Sequence, residues 1–200
     1  MINGRFPSSS PQLFIGIGGG SGSGKTTIAK AIKKQLSGLD VLLVNQDRFF
    51  KPVDELPTYY SEFMQRPSPD FNRPDSFKTA EMFAFCEQID GHNVVILEGI
   101  LALYYPELRR LMDIKCYVTI PIDEMLIRRT SRNLAAGYGG SYEEIAHYNL
   151  ECVVPQNGRY NVPTQRFADI LIPNGPSDEE RRDSIVTQLC NKILEQKNVH

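Results

Sequence analysis

Five short hydrophobic segments recur along the chain, and stretches with a helical pattern separate them. Three of the five are nearly continuous apolar runs, which is typical of parallel strands covered on both faces. Alternation of strands with helices predicts an α/β domain with a mainly parallel sheet. The predicted strands are residues 13–18, 41–46, 93–99, 114–120 and 168–173.

The intervening segments carry the spacing of amphipathic helices. Apolar residues recur at every fourth position from Ile28 to Leu36, and residues 82–89 follow the i, i+3, i+4, i+7 pattern. The final helix opens with the letters SDEE, and the pair Ser177 and Glu180 predicts a capping box at its start.

Two stretches interrupt this alternation. Residues 48–75 hold five of the 13 prolines, and a connection of that length in a compact domain is typical of a functional loop. Residues 121–165 have the pattern of two helices with Gly137, Gly139 and Gly140 between them. A helical insertion before the last strand predicts a mobile lid.

Length and charge narrow the class of protein. A chain of 200 residues fits one domain with a substantial core, which we place at residues 12–200 after a short disordered tail at residues 1–11. The formal net charge is −2, whereas nucleic-acid-binding domains usually carry a basic excess. We therefore expect no nucleic-acid partner.

The apolar runs and the cysteines indicate the cellular compartment of the protein. No run approaches the roughly 20 apolar residues that a membrane-spanning helix needs, and the N-terminus lacks a signal-peptide pattern. The four cysteines are widely spaced and lie among apolar neighbours, which favours buried free thiols over a zinc site or a disulfide framework. These features predict a cytoplasmic protein without a membrane partner.

A glycine-rich segment joins the first predicted strand to the first predicted helix. Its letters GGSGSGKT satisfy the pattern G-x-x-x-x-G-K-[ST] in full. A flexible hinge and a phosphate-binding loop are the two interpretations, but a hinge does not explain why Lys and Thr follow the last glycine. Backbone N–H groups in such a loop bind anions, and the helix N-terminus reinforces them. The residues we expect at the nucleotide are Gly19, Gly20, Ser21, Gly22, Ser23, Gly24, Lys25, Thr26 and Thr27.

The motif assigns distinct chemistry to its last residues. Lys25 is expected to reach the β- and γ-phosphates of a nucleoside triphosphate, and the Thr26 hydroxyl to bind Mg²⁺. The dinucleotide pattern G-x-G-x-x-G cannot be drawn in the segment, which disfavours a nicotinamide cofactor.

Two acidic residues end predicted strands. Asp47 follows residues 41–46, and Glu98 ends the apolar part of residues 93–99. Ligands of open parallel sheets bind beyond the carboxyl ends of the strands. Either carboxylate can accept a proton from an attacking hydroxyl or hold Mg²⁺; the alternative is that each only caps the following helix.

Three arginines lie close together in the first helix of the predicted lid. Arg128 and Arg132 are four residues apart and share one helix face, so they are our candidates to neutralise charge on a transferring phosphoryl group. A solvated helix face is the alternative, and it applies most readily to Arg129.

These segments together resemble the phosphoribulokinase and uridine kinase family of P-loop kinases, and uridine kinases most closely. The resemblance covers most of residues 14–175, and the run EGILALYYPELRRLMDIK is its most specific part. It implies a P-loop NTPase-type three-layer α/β/α fold with a five-stranded parallel sheet and a helical lid. It also implies ATP-dependent phosphorylation of a nucleoside 5′-hydroxyl, with ATP and Mg²⁺ as cofactors, and often a homotetramer.

The resemblance further implies roles for single residues. Asp47 becomes the base or hydroxyl-orienting acid, and Thr26 and Glu98 hold Mg²⁺, with Asp47 as a further metal candidate. Lys25, Arg128 and Arg132 act on the phosphoryl group, and Arg132 and Asn174 join the nucleotide site. The expected acceptor contacts are Asp47, Phe50, Tyr59, Asn72, Arg73, Glu98 and Arg128.

The chain also departs from the uridine kinase pattern at the acceptor end. Asn72 stands where uridine kinases usually carry a ribose-binding aspartate. The family's pyrimidine-clamping hairpin would lie between the DSF and LEG segments, but only about twenty residues separate them, and they read as one helix. The letters GYGG replace the arginines expected after the lid helix. The segment QDRFFKP and the short middle also resemble nicotinamide riboside kinases, so nicotinamide riboside is an alternative acceptor. A nucleotide-binding regulatory protein without kinase activity is the alternative from another class.

Overall fold

A computed structural model describes residues 12–197; the tail predicted at residues 1–11 lies outside this range. Five strands form a parallel sheet in the order β2-β5-β1-β6-β7, and two form a separate antiparallel hairpin, β3-β4. All five predicted strands are confirmed, as is their parallel arrangement. The strands are β1 Leu13–Gly19, β2 Val41–Asn45, β3 Thr58–Ser61, β4 Arg66–Pro69, β5 Val94–Glu98, β6 Ile114–Thr119 and β7 Ile170–Pro173.

Helices connect the parallel strands. The α-helices are α1 Lys25–Gln35, α2 Thr79–Glu87, α3 Pro106–Leu111, α4 Ile122–Ala136, α5 Tyr142–Tyr148, α6 Val154–Gln156 and α7 Glu179–Lys197. Short 3₁₀ turns span Gln46–Phe49, Val53–Glu55, Pro74–Ser76 and Val162–Phe167, and π-helical turns span Asn149–Val153 and Asn157–Asn161.

Two apolar cores cover the two faces of the sheet. Alternate residues of β1 point to opposite faces, so Ile15 and Ile17 join one core while Phe14 joins the other. The first core packs the sheet against α1 and α7, and the second packs it against α2, α3 and the residues that follow β5. This arrangement confirms the predicted three-layer α/β/α fold.

The predicted capping box at the last helix is wrong. Helix α7 begins at Glu179, and the carbonyl of Asp178 accepts the first intrahelical bond from the Arg182 N–H group at 2.7 Å. A capping box needs Glu or Gln three residues after the cap, and the residue three positions after Asp178 is Arg181. The box occurs instead at the start of α5, between Ser141 and Glu144.

The two irregular stretches have more order than their sequences predict. The proline-rich stretch at residues 48–75 contains the β3-β4 hairpin, which the sequence pattern does not predict. Helix α2 is the one helix between that stretch and β5, as expected. Between β6 and β7, α4 and α5 match the two predicted helices, and irregular helical turns then continue to Phe167.

The structure also describes the four cysteines and the apolar character of the helices. All four cysteines are free and buried. Within residues 12–197, none of the helices combines the length and the apolar character that crossing a bilayer requires.

Candidate active site

A cleft of about 890 Å³ opens at the carboxyl end of the parallel sheet. The chain delivers polar groups to it from three adjacent strands. The glycine loop follows β1, Glu98 ends β5, and Asp47 lies in the 3₁₀ turn directly after β2. Because β5 pairs with both β1 and β2, these three groups meet at one edge of the sheet.

The glycine loop is shaped so that side chains cannot enter it. Gly22 has φ 96°, and a Cβ atom there would lie 2.6 Å from the carbonyl oxygen of Met125 on α4. Gly24 has φ 93° and directly precedes α1, so the N-terminal N–H groups of α1 remain available to an anion. Inside the loop, the buried Ser23 hydroxyl has no hydrogen-bond partner in the described part of the chain.

Lys25, Thr26 and Glu98 form the polar floor of the cleft. The Lys25 ammonium donates a hydrogen bond to the Gly20 carbonyl at 2.8 Å, and the Thr26 hydroxyl donates one to Glu98 Oε1 at 2.8 Å. Burial lowers the pKa of Lys25, although the Glu98 and Asp47 carboxylates oppose that shift. Burial also raises the pKa of Glu98, against the attraction of Lys25.

Asp47 has an environment suited to accepting a proton. Burial raises its pKa above the ordinary value of an aspartate, while the positive charges of Lys25 and Arg132 act in the opposite direction. Its backbone N–H is held by the Asn45 side chain at 2.7 Å. The carboxylate lines the cleft and is free of hydrogen bonds within residues 12–197.

Helix α4 presents Arg129 and Arg132 to the cleft. Arg129 is only 9% exposed, its guanidinium lies 5.2 Å from the centre of the Tyr148 ring, and it donates a hydrogen bond to Asn149. Its buried Nε has no partner within residues 12–197. Arg132 donates to the Ser21 hydroxyl in the glycine loop at 3.3 Å.

The structure does not bring Arg128 to the cleft. Its Nε donates to Glu124 at 2.6 Å, and a terminal nitrogen donates to the Asn174 carbonyl at 3.0 Å. The i, i+4 spacing favours Arg128 and Arg132 as the cleft-facing pair, whereas the structure turns Arg129 and Arg132, at i, i+3, towards the cleft. The spacing alone could not show which way α4 is rotated against the sheet.

Aromatic side chains and the β3-β4 hairpin line the other end of the cleft. The Tyr59 ring meets the Tyr148 ring edge to face, with centroids 5.8 Å apart. The Phe63 ring stacks on His147 at 4.0 Å with an interplanar angle of 7°. Such surfaces suit a flat heterocycle, because aromatic rings favour stacked and edge-to-face contacts.

A carboxylate from the lid segment fixes the hairpin. Glu151 accepts hydrogen bonds from the Ser61 hydroxyl at 2.7 Å and from the Phe63 N–H at 2.9 Å. The hydrogen bond from Ser61 holds the pKa of Glu151 below its usual range. The proline-rich sequence does not predict this hairpin. Tyr148, Phe63 and His147 lie in amphipathic or loop sequence without a motif, so the sequence does not mark them as cleft residues either.

The predicted site residues divide into three groups. Those that line the cleft are Ser21, Lys25, Thr26, Asp47, Phe50, Tyr59, Asn72, Glu98 and Arg132. A second group belongs to the glycine loop or contacts it but does not line the cleft: Gly19, Gly20, Gly22, Ser23, Gly24 and Asn174. Those that face elsewhere are Thr27, which is exposed on α1, Arg73, which pairs with Asp75 at 2.9 Å, and Arg128.

The residues present fit a nucleoside triphosphate and Mg²⁺. The glycine loop leaves a cradle that a Cβ atom would fill, and it has an unpartnered Ser23 hydroxyl beside it. Thr26, Glu98 and Asp47 provide hydroxyl and carboxylate oxygens, the ligand type that Mg²⁺ prefers. Asn174 supports the loop from behind through a 2.7 Å bond to the Ser23 carbonyl.

A glycine loop that leads from the central strand into Lys25 and Thr26, in a parallel sheet of this order, defines a P-loop nucleotide-binding fold. Solved structures of similar shape agree. Shikimate kinase from Bacteroides thetaiotaomicron superposes with a TM-score of 0.54 at 21% identity, over 92% of this chain and 98% of that one. The Acinetobacter baumannii shikimate kinase gives 0.54 at 17% identity, over 95% and 96%. At such identities the likeness concerns the fold alone.

The chain belongs to the Phosphoribulokinase / Uridine kinase family, whose profile matches residues 60–180. It is 32% identical to the uridine kinase of Latilactobacillus sakei over 88% of this chain and 92% of that protein. It is 33% identical to the uridine kinase of Bacillus licheniformis and 31% to that of Bacillus subtilis, each over 94% of this chain and 97% of the relative. The resemblance to this family is thereby confirmed.

Proposed function

We propose that this protein is an Mg-ATP-dependent kinase that phosphorylates the 5′-hydroxyl of a nucleoside, with uridine and cytidine as the expected acceptors. Relatives that match nearly the whole chain carry the name uridine kinase. The observation that carries the proposal is that one continuous cleft is lined by Lys25 and Thr26 of the phosphate loop, by the Asp47 carboxylate, and by the aromatic hairpin.

Asp47 is the proposed acceptor of the 5′-hydroxyl proton. The hydroxyl oxygen bonds to the γ-phosphorus while the bond from that phosphorus to the bridging oxygen breaks, and ADP leaves. Because desolvation in the cleft raises the pKa of Asp47, the carboxylate accepts a proton more readily than an aspartate in bulk water does. The positive charges of its neighbours Lys25 and Arg132 favour the ionised form and partly oppose that shift.

Charge neutralisation is assigned to Lys25, Arg129 and Arg132. Phosphoryl transfer involves little covalent work for a protein, so positioning and electrostatic stabilisation provide most of the rate increase. Arg129 has a buried Nε without a partner among the described residues, and an anion in the cleft would satisfy it. Arg128 is left out of this group because it pairs with Glu124.

Thr26 and Glu98 are the proposed Mg²⁺ holders, with Asp47 as a third oxygen donor. When bound, the ion neutralises phosphate charge and lowers the barrier for the leaving group. The 2.8 Å contact between the Thr26 hydroxyl and Glu98 pre-positions both groups.

A cytoplasmic location and a homo-oligomer remain predictions from the sequence.

A substrate panel tests the function. The purified protein is given ATP and Mg²⁺ with uridine, cytidine, adenosine, guanosine and nicotinamide riboside in turn, and formation of ADP and of the 5′-monophosphate is measured. We expect turnover with uridine or cytidine and its loss in Lys25→Ala. Turnover with nicotinamide riboside alone would move the acceptor to the other class that the sequence resembles. Absence of turnover with every acceptor, together with tight ATP binding, would favour the regulatory alternative.

A further inference from the structure

Asp70 is a buried carboxylate that the phosphoryl-transfer scheme does not use. Its side chain is fully buried, yet it forms no ion pair within residues 12–197. Three N–H groups satisfy it instead. Oδ1 accepts from the Asn72 backbone at 2.7 Å and from Asn72 Nδ2 at 3.4 Å, and Oδ2 accepts from Gln156 Nε2 at 2.7 Å. A buried charge without a cation is costly, so its presence calls for a specific reason.

Asp70 fixes which way the Asn72 amide points. Asp70 Oδ1 is an acceptor, because the Asn72 backbone N–H donates to it, so the Asn72 NH₂ group, and not its oxygen, faces it. Nδ2 also lies 3.0 Å from the Tyr148 hydroxyl and 3.4 Å from the Cys152 sulfur. The nitrogen side of the amide is therefore fully occupied.

The oxygen of the same amide has no hydrogen-bond partner among the described residues. Asn72 lines the cleft, and its Oδ1 accepts no hydrogen bond from any residue in the range 12–197. Oδ1 is also partly open to solvent and is not enclosed by the protein. The amide thus presents an acceptor to whatever occupies the cleft.

Hydrogen bonds in series strengthen one another. An amide whose N–H group donates to a carboxylate is polarised, and its oxygen becomes a better acceptor. The order Asp70 carboxylate, Asn72 amide, bound hydroxyl is such a series. It gives a neutral amide part of the accepting strength of a carboxylate without placing a second negative charge in the cleft.

We propose that Asp70 is a positioning residue for acceptor selectivity: it orients and polarises Asn72 so that Oδ1 accepts a hydrogen bond from a sugar hydroxyl of the substrate. This proposal rests on the proposed function, since it requires a hydroxylated acceptor in the cleft. Asp70 itself does not touch the substrate.

The test compares Asp70→Asn with the wild type on a ribonucleoside and on its 2′,3′-dideoxy analogue. Asparagine has the size of aspartate but no longer dictates the direction of the Asn72 amide. We expect KM for the ribonucleoside to rise about tenfold, the factor that corresponds to one lost charge-assisted hydrogen bond. KM for ATP and KM for the dideoxy analogue should stay unchanged, because neither involves the sugar hydroxyls that Asn72 would contact.

A reciprocal double variant and two controls sharpen the test. Asp70→Asn with Asn72→Asp puts the carboxylate at the cleft and a donor behind it, so it should restore the ribonucleoside KM. Asp54→Asn makes the same chemical change on an exposed residue of the same loop. Gln156→Leu removes the bond from the lid segment to Asp70 but leaves Asn72 oriented, so it should keep the preference for ribose over dideoxyribose.

Each outcome decides the proposal. If Asp70→Asn changes the KM of both sugars equally, or changes neither, Asp70 is only structural and the proposal is wrong. A similar loss of thermal stability in the single and double variants, with KM restored only in the double variant, would still support it. A wild-type protein that transfers phosphate to no nucleoside would overturn the proposed function as well, whereas a wild type that transfers normally but ignores the sugar hydroxyls would overturn this inference alone.

Discussion

Ser61 of the hairpin donates a hydrogen bond to Glu151 of the lid segment at 2.7 Å, although 90 residues separate them in the chain. The other oxygen of the same carboxylate accepts the Phe63 N–H at 2.9 Å. One carboxylate therefore joins the two walls that enclose the acceptor end of the cleft.

Weakening this contact should impair acceptor binding alone. Glu151→Gln keeps one acceptor oxygen and loses the other, while Glu151→Ala loses both. We expect KM for the nucleoside to rise about threefold and about tenfold respectively, with KM for ATP unchanged, in steady-state kinetics. Glu62→Gln, an exposed residue of the same hairpin, is the matched control. An equal rise in the ATP KM would show that the hairpin does not act on the acceptor specifically.

Arg129 should matter to turnover more than Arg128 does. Arg129→Lys keeps the charge but removes the Nε donor, and we expect kcat to fall about tenfold or more, because such donors act on charge that develops in the transition state. Arg128→Lys, on the same helix, should leave kcat within about twofold. Single-turnover measurements at saturating ATP would separate the two. If the Arg128 variant is slower and the Arg129 variant is normal, Arg128 and not Arg129 neutralises the charge that develops in the transition state.

Lys25 should be indispensable for transfer. Lys25→Ala removes the charge expected at the β- and γ-phosphates, and we expect a loss of kcat/KM well beyond tenfold, a factor that corresponds to about 1.4 kcal/mol. Lys33→Ala changes an exposed lysine on the same helix and should have no effect on the coupled ADP assay. Retention of more than about a tenth of the wild-type rate would contradict the assigned use of the loop.

The Thr26 hydroxyl should control the response to magnesium. Thr26→Val keeps the shape of the side chain and removes the oxygen, so the Mg²⁺ concentration for half-maximal rate should rise at least about tenfold. Thr26→Ser keeps the oxygen and should behave like the wild type. The measurement is a magnesium titration at fixed ATP. Identical titration curves for the Val and Ser variants would exclude Thr26 as a metal-holding residue.

Local sequence patterns are enough to predict the sheet, the layers and the position of the glycine loop. These features depend on local patterns. Apolar runs mark strands that are covered on both faces, and the glycine loop carries its Lys and Thr at fixed spacing. Asp47 and Glu98 could be placed at the cleft because the carboxyl ends of parallel strands meet at one edge of a sheet.

The side chains that complete the acceptor end of the cleft come from segments that lie far apart in the chain. The rotation of α4 brings Arg129 to the cleft and turns Arg128 towards Asn174. The bond from Gln156 to Asp70 spans 86 residues of sequence. Contacts between residues so far apart follow from how whole elements pack, and no local period or motif encodes them. The sequence therefore predicts where the glycine loop, Asp47 and Glu98 lie, whereas the contacts that would select the acceptor emerge only when the hairpin, the lid and the sheet come together.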